Sequence, residues 1–156
     1  MLVVLDSVFN RVIRNRKLGK NTWIYIDEIY LLFQHEYSAN FLFTLWKRVR
    51  KYGACCTGLT QNVDDLLQSH TARTMLANSE FLVMLNQAST DRIELARLLN
   101  ISDNQLSYIT NVDFGRGLIK CGSAIVPFMD SFPRNTQLYH LMSTRLSDLS
   151  EGAEAA

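Results

Sequence analysis

The chain has little cysteine and little proline, with three of the first and two of the second among 156 residues. Cys55 and Cys56 are adjacent and Cys121 is remote, so no pair has the spacing of a metal-binding motif, and a reducing interior is the simpler setting. Adjacent cysteines in an apolar stretch are expected to be small core residues. The three histidines, His35, His70 and His140, are scattered as well, which argues against a zinc site. No apolar run approaches the roughly 18 residues of a membrane span. A formal net charge of +1 gives no overall pull toward nucleic acid or anionic lipid. A G-x-S-x-G elbow and a G-x-G-x-x-G turn are both missing, which argues against a serine hydrolase and a dinucleotide site of the usual kinds. There is also no G-x-x-x-x-G-K-[ST] loop. Only Lys20 directly follows a glycine, and Arg14 and Asn21 stand where that loop needs Gly and Ser or Thr.

What the chain does have is an ordinary globular balance, 47% apolar and 20% charged, and enough length for one domain or a large part of one. Its most informative stretch is Thr22-Trp23-Ile24-Tyr25-Ile26-Asp27-Glu28. A continuous apolar run of this kind predicts a strand buried on both faces in a parallel sheet. Strand alternation then sends Asp27 and Glu28 to opposite sides, at the carboxyl end where open α/β sheets bind ligands. Phosphoryl-transfer chemistry uses such a pair: one carboxylate holds Mg²⁺, usually through water, and its neighbour orients or deprotonates the attacking water. The plainer alternative is a core strand that meets solvent through two charges and then turns into a helix.

The rest of the chain alternates. Residues 1–18 have helical spacing, with Arg14, Arg16 and Lys17 at the carboxyl end where the helix dipole favours cations. Glu28 is placed to open a short helix. Ser38 is a candidate N-cap for a helix over 39–51, whose last turns carry Lys47, Arg48, Arg50 and Lys51. Residues 54–60 form a second strand-like run closing on Thr60-Gln61-Asn62, with Asn62 or Asp64 to cap the next helix. A helical stretch broken near Ser69 leads to a third buried strand over 80–85. Helices follow, capped near 88–91 and at Ser102-Asp103. Two short apolar runs around Gly122-Ser123 predict a β-hairpin, with Pro127 marking an edge strand. A short helix is expected within 135–143, and the Ser-, Glu-, Gly- and Ala-rich end, 146–156, reads as a disordered tail. Helix–strand–helix–strand–helix–strand order predicts a parallel sheet flanked by helices, with a terminal hairpin.

With these residues laid out, the chain resembles the carboxyl-terminal part of the conjugative-transfer (type IV secretion) traffic ATPases of the VirB-four/TraE/TrsE class. The stretches that carry the resemblance are 22–33 (TWIYIDEIYLLF), 45–62 (LWKRVRKYGACCTGLTQN), 78–87 (NSEFLVMLNQ), 115–122 (GRGLIKCG) and 127–136 (PFMDSFPRNT). They run from 22 to 136, and their order and spacing extend the resemblance over roughly residues 1–145. The resemblance implies a RecA-like P-loop NTPase fold of the HerA–FtsK type, here partial, with a parallel sheet flanked by helices and a carboxyl-terminal hairpin. It also implies ATP and Mg²⁺ as cofactors of the longer parent protein. By position, Asp27 would be the Walker B acid that holds Mg²⁺ through water, Glu28 the catalytic glutamate, and Gln61 the γ-phosphate sensor. Arg48 and Arg50 would be candidates for an arginine acting in trans on a neighbouring subunit, a role that can matter by about 10³-fold or more. Arg73 and Arg116 are further candidates, and the simpler reading of Arg48 and Arg50 is a decorated helix end. The expected parent is a hexamer that energises type IV secretion or conjugative DNA transfer. It would be cytoplasmic and peripheral at the inner face of the bacterial membrane, beside other secretion subunits and a coupling protein.

The missing phosphate loop is the departure from that family. The expectation is a truncated piece of a longer ATPase, lacking the strand that bears the loop. Its sheet would then close differently, or associate through the open edge left beside residues 54–60. Two other readings stay open: a nucleotide-independent interaction module for secretion subunits, and part of a DNA coupling or translocation motor. The near-neutral charge lowers the second of these, since phosphate contacts need clustered Lys and Arg. The expected behaviour of the purified 156-residue chain is that it neither binds ATP tightly nor hydrolyses it. Measurable, Glu28-dependent turnover in a phosphate-release assay would overturn that.

Overall fold

A computed structural model describes residues 2–61 and 63–143; the side chains of Leu2, Ser89 and Thr90 lie outside the description. So do Asn62, expected as a cap, and the whole expected tail.

The first half is helix–strand–helix–strand. Helix α1 (Leu2–Lys17) ends in Arg14, Arg16 and Lys17 and turns through Gly19 at φ 67°, a left-handed conformation that glycine adopts without penalty. Strand β1 (Thr22–Ile26) runs from there into a 3-10 turn, Ile29–Phe33. Helix α2 (Glu36–Arg48) follows, then a second 3-10 turn, Val49–Tyr52, and strand β2 (Ala54–Gly58). β2 pairs parallel with β1, in register from Thr22 opposite Ala54 to Ile26 opposite Gly58. Ser38 is not the cap of α2. The helix begins two residues earlier, and Ser38 is buried in its first turn, where its hydroxyl donates to the carbonyls of Leu32 (2.6 Å) and His35 (2.9 Å). The bond to Leu32 fastens α2 to the turn after β1.

Burial on β1 alternates instead of covering both faces. Ile24 and Ile26 pack into a core built on Val12, Leu42, Leu45 and Val49, whereas Trp23 and Tyr25 are 61% and 70% exposed. The expectation of a strand buried on both sides fails because helices cover only one face of this two-stranded sheet among the described residues. The cysteines depart from expectation too: Cys55 and Cys121 are exposed, and only Cys56 turns partly inward. Burial pushes the Cys56 thiol up to about 12, and the adjacent Cys55 adds to the shift.

The second half adds two helices that pack on the first core through Leu66, Ala72 and Met75, and then a separate sheet. Helices α3 (Val63–Gln68) and α4 (His70–Ala77) are divided at Ser69, whose hydroxyl accepts from the Ala72 N–H at 3.3 Å. Strand β3 (Phe81–Met84) comes next, then α5 (Ser89–Leu99) and α6 (Asp103–Leu106). α6 opens on a capping box between Ser102 and Gln105. The hairpin β4 (Arg116–Cys121) and β5 (Ala124–Met129) and the short helix α7 (Gln137–Met142) complete the described chain. β3 does not join β1 and β2. It pairs antiparallel with β4, Met84 opposite Leu118, in a three-stranded sheet ordered β3-β4-β5. The predicted hairpin therefore takes the third strand away from the parallel sheet. β5, with Pro127, is an edge strand as expected.

Two cores result. The second holds Leu67, Met84, Leu95, Leu99, Ile109 and Leu118. α3 joins the halves by placing Leu66 in the first core and Leu67 in the second. At Gly117 a Cβ would overlap the backbone carbonyl of Met84, so the β3–β4 pairing admits no side chain there. Gly117→Ala is expected to lose about 1–3 kcal/mol, the usual cost of overpacking. Urea unfolding would measure it, and wild-type stability would show that the two strands can part without cost.

Candidate functional site

The parallel register sends β1 and β2 out of the sheet side by side, and their ladder continues past both ends. The Leu59 N–H donates to the Ile26 carbonyl at 2.8 Å, and the Ile29 N–H donates to the Leu59 carbonyl at 2.9 Å. Asp27 and Glu28 lie between these two bonds. Asp27 continues the exposed face of Trp23 and Tyr25, and Glu28 the half-buried face of Ile24 and Ile26. Asp27 is exposed and Glu28 half-buried, although β1 itself ends at Ile26.

Glu28 caps the 3-10 turn from the left-handed region, at φ 48° and ψ 48°. Residues with a Cβ seldom adopt this conformation, and it concentrates at functional sites. An Asp27 oxygen, Oδ1, accepts the Glu28 N–H at 3.0 Å. The Glu28 side chain ends in a buried oxygen, Oε2, with no hydrogen-bond partner among the described residues. A carboxylate oxygen without a donor is costly to bury. Asp27 thus uses one oxygen internally and keeps the other for solvent or an ion. Glu28 holds an acceptor with nothing on it.

Gln61 is exposed and lies three residues beyond β2, at the same carboxyl end as the acidic pair. Arg48 and Arg50 do not reach that end. They sit where α2 runs through a 3-10 turn into the amino end of β2, across a strand of about 16 Å at 3.3 Å per residue. Both are exposed. Of the further arginines, Arg73 is bound within the chain, donating to the Leu67 carbonyl and pairing with Glu94 at 2.9 Å. Arg116 pairs with Asp113 at 3.7 Å. The parallel pairing therefore puts Asp27, Glu28 and Gln61 beyond the carboxyl ends of adjacent strands, with Arg48 and Arg50 at the opposite end of β2. Gly58 and Ile29, which shape the turn, were not singled out from the sequence. The only sign was a glycine at the last position of β2.

No group of three or more His, Cys, Asp or Glu side chains among the described residues is arranged to hold a metal. The single free oxygen of Asp27 suits Mg²⁺, which keeps most of its waters and takes one or two carboxylates plus substrate phosphates.

A parallel strand pair with an acidic pair at its carboxyl end and helices on one face, beside a separate antiparallel sheet, is a partial RecA-like α/β fold. The profile of the TraG P-loop domain matches residues 1–116, so the chain belongs to that family of conjugative-transfer ATPase domains. It is also similar to the solved structure of VirB4 of Thermoanaerobacter pseudethanolicus. The TM-score is 0.75 and the identity 26%, over 83% of this chain and 36% of that one. The chain thus spans little more than a third of the length of that relative. A search of curated proteins returned no match. No helix among the described residues is long and apolar enough to cross a membrane.

The strain at Glu28 sets a testable trade. Glycine adopts φ 48° freely, and its substitution also removes the unpartnered oxygen, so both effects have the same sign. Glu28→Gly is expected to stabilise the fold by about 1 kcal/mol, the lower end of the left-handed cost for residues with a Cβ. An unchanged or lower urea midpoint at constant m would show that the side chain makes favourable contacts instead.

Proposed function

We propose that Asp27 and Glu28 are the Walker B and catalytic carboxylates of an ATP-hydrolysing motor that energises type IV secretion or conjugative DNA transfer. The observation that carries this is the turn itself, in which a strained glutamate with an unpartnered buried oxygen adjoins an aspartate with one oxygen spare. Family membership supplies the context.

In this reading the free oxygen of Asp27 holds Mg²⁺ through water, while its other oxygen keeps the Glu28 backbone in place. Glu28 accepts a hydrogen bond from the attacking water at its vacant oxygen and takes the proton as the water adds to the γ-phosphorus, while the bond to the β–γ bridging oxygen breaks and ADP leaves. Gln61, at the neighbouring strand end, donates to a γ-phosphate oxygen and reports its loss. Mg²⁺ held through Asp27 would neutralise phosphate charge. The reading requires a phosphate loop, a motif the 156 residues do not contain. Arg48 and Arg50, exposed and at the other end of β2 from the acidic pair, are the candidates for an arginine acting in trans on a neighbouring copy in a hexameric parent. Other secretion subunits and a coupling protein are the remaining partners, at the cytoplasmic face of the membrane.

The test is ATP hydrolysis by a polypeptide that joins these residues to a phosphate loop. Glu28→Gln is expected to lower kcat by about 10²–10⁴-fold, the range for a positioned general base, with KM for ATP little changed. Asp27→Asn is expected to abolish the Mg²⁺ dependence together with the rate. Wild-type turnover by Glu28→Gln would sink the assignment.

A further inference from the structure

The left-handed turn at Glu28 is held from outside the acidic pair. Residue 59 grips both flanks, since Leu59 donates to Ile26 and accepts from Ile29 (2.8 and 2.9 Å). Two residues are thereby bridged across the adjoining strand, and the Leu31 N–H closes the turn on the Glu28 carbonyl at 3.1 Å. The grip works only if Ile29 can come down onto β2. Ile29 is 5% exposed, and its side chain lies directly over Gly58. A Cβ at residue 58 would overlap the Ile29 Cδ1 and stand 3.3 Å from its Cγ2 and 3.4 Å from its Cβ. Gly58 does not owe its place to a positive φ. It serves as a hole into which Ile29 fits.

We infer that Gly58 and Ile29 are positioning residues for Glu28. The missing side chain at 58 lets Ile29 seat, the seated Ile29 bonds to Leu59, and that bond forces the residue before it into the left-handed conformation that aims its carboxylate. This rests on the reading of Glu28 as the catalytic carboxylate. It adds that the geometry of that carboxylate is set by the neighbouring strand as well as by Asp27. The overlapping atom, Cδ1, is the far end of the Ile29 side chain, and because Ile29 is itself buried it has little room to turn aside. Unseating Ile29 should therefore release the turn as a unit.

The test needs no activity. In the full 156-residue chain, Gly58→Ala is expected to speed amide exchange at Ile29 and Leu59 at least tenfold relative to Leu118 in the other sheet. It should also move the Glu28 Cα shift away from its left-handed value. Ile29→Val in the same background removes the one overlapping atom, Cδ1, and is expected to bring both readouts back toward wild type. A change in general stability alone would speed exchange at Leu118 as much as at Ile29 and Leu59. If Gly58→Ala does not fold, recovery of folding in the double variant supports the lock, and a double variant that stays unfolded counts against it. Ile29→Ala, with Gly58 intact, should also free the turn. Wild-type exchange at Ile29 and Leu59 in Gly58→Ala or in Ile29→Ala would overturn the lock while leaving the kinetics of Glu28→Gln untouched. Wild-type hydrolysis by Glu28→Gln would remove the catalytic role and leave the exchange pattern standing.

Discussion

The parallel pairing of β1 with β2 is the constraint on which the site depends. It puts Ile26 opposite Gly58, so that both strands leave the sheet together and their ladder runs on through Leu59. Everything chemically suggestive in the chain follows from that shared exit. An antiparallel pairing of the same two strands would have placed Gln61 at the far end from Asp27 and Glu28. The pairing also fixes what the site lacks, because the arginines at the end of α2 enter β2 from the opposite end.

A strained residue persists only where its surroundings over-determine it. At Glu28 those surroundings are unusually local. They comprise one aspartate oxygen, two backbone bonds to residue 59, and an isoleucine seated on a glycine. None of these contacts touches the Glu28 carboxylate, whose buried oxygen is left without a partner. The chain therefore fixes the backbone of the glutamate and leaves its acceptor open. That is the arrangement expected of a group whose partner arrives with substrate.

Much of this was legible in the residues. The acidic pair at a strand end, the polar residues after the second strand, the hairpin around Gly122 and the helix start at Ser102 are all local signals, each set by alternation, turn chemistry or capping over a few positions. The misses were not local. Trp23 and Tyr25 look as buried as Ile24 and Ile26 until one sees that helices cover only one side. Ser38 has the chemistry of a cap, yet it is consumed by a carbonyl six residues back. The apolar run at 81–84 suits a parallel strand as well as an antiparallel one, and its choice of β4 depends on Gly117 allowing the Met84 carbonyl to approach.

By itself, the amino-acid sequence determined the kinds of element, their order, and which side chains would stand at the carboxyl ends of the first two strands. Backbone propensity and side-chain alternation act over a handful of residues, and the sequence carries them directly. Only the tertiary structure decided which strands share a sheet, which face of β1 meets solvent, and how the Glu28 backbone is turned. Those outcomes depend on contacts between residues distant in the chain, above all Ile29 on Gly58 and Met84 on Gly117. In both, the deciding feature is the volume of a side chain that is absent, and its effect exists only once the partner strand has arrived.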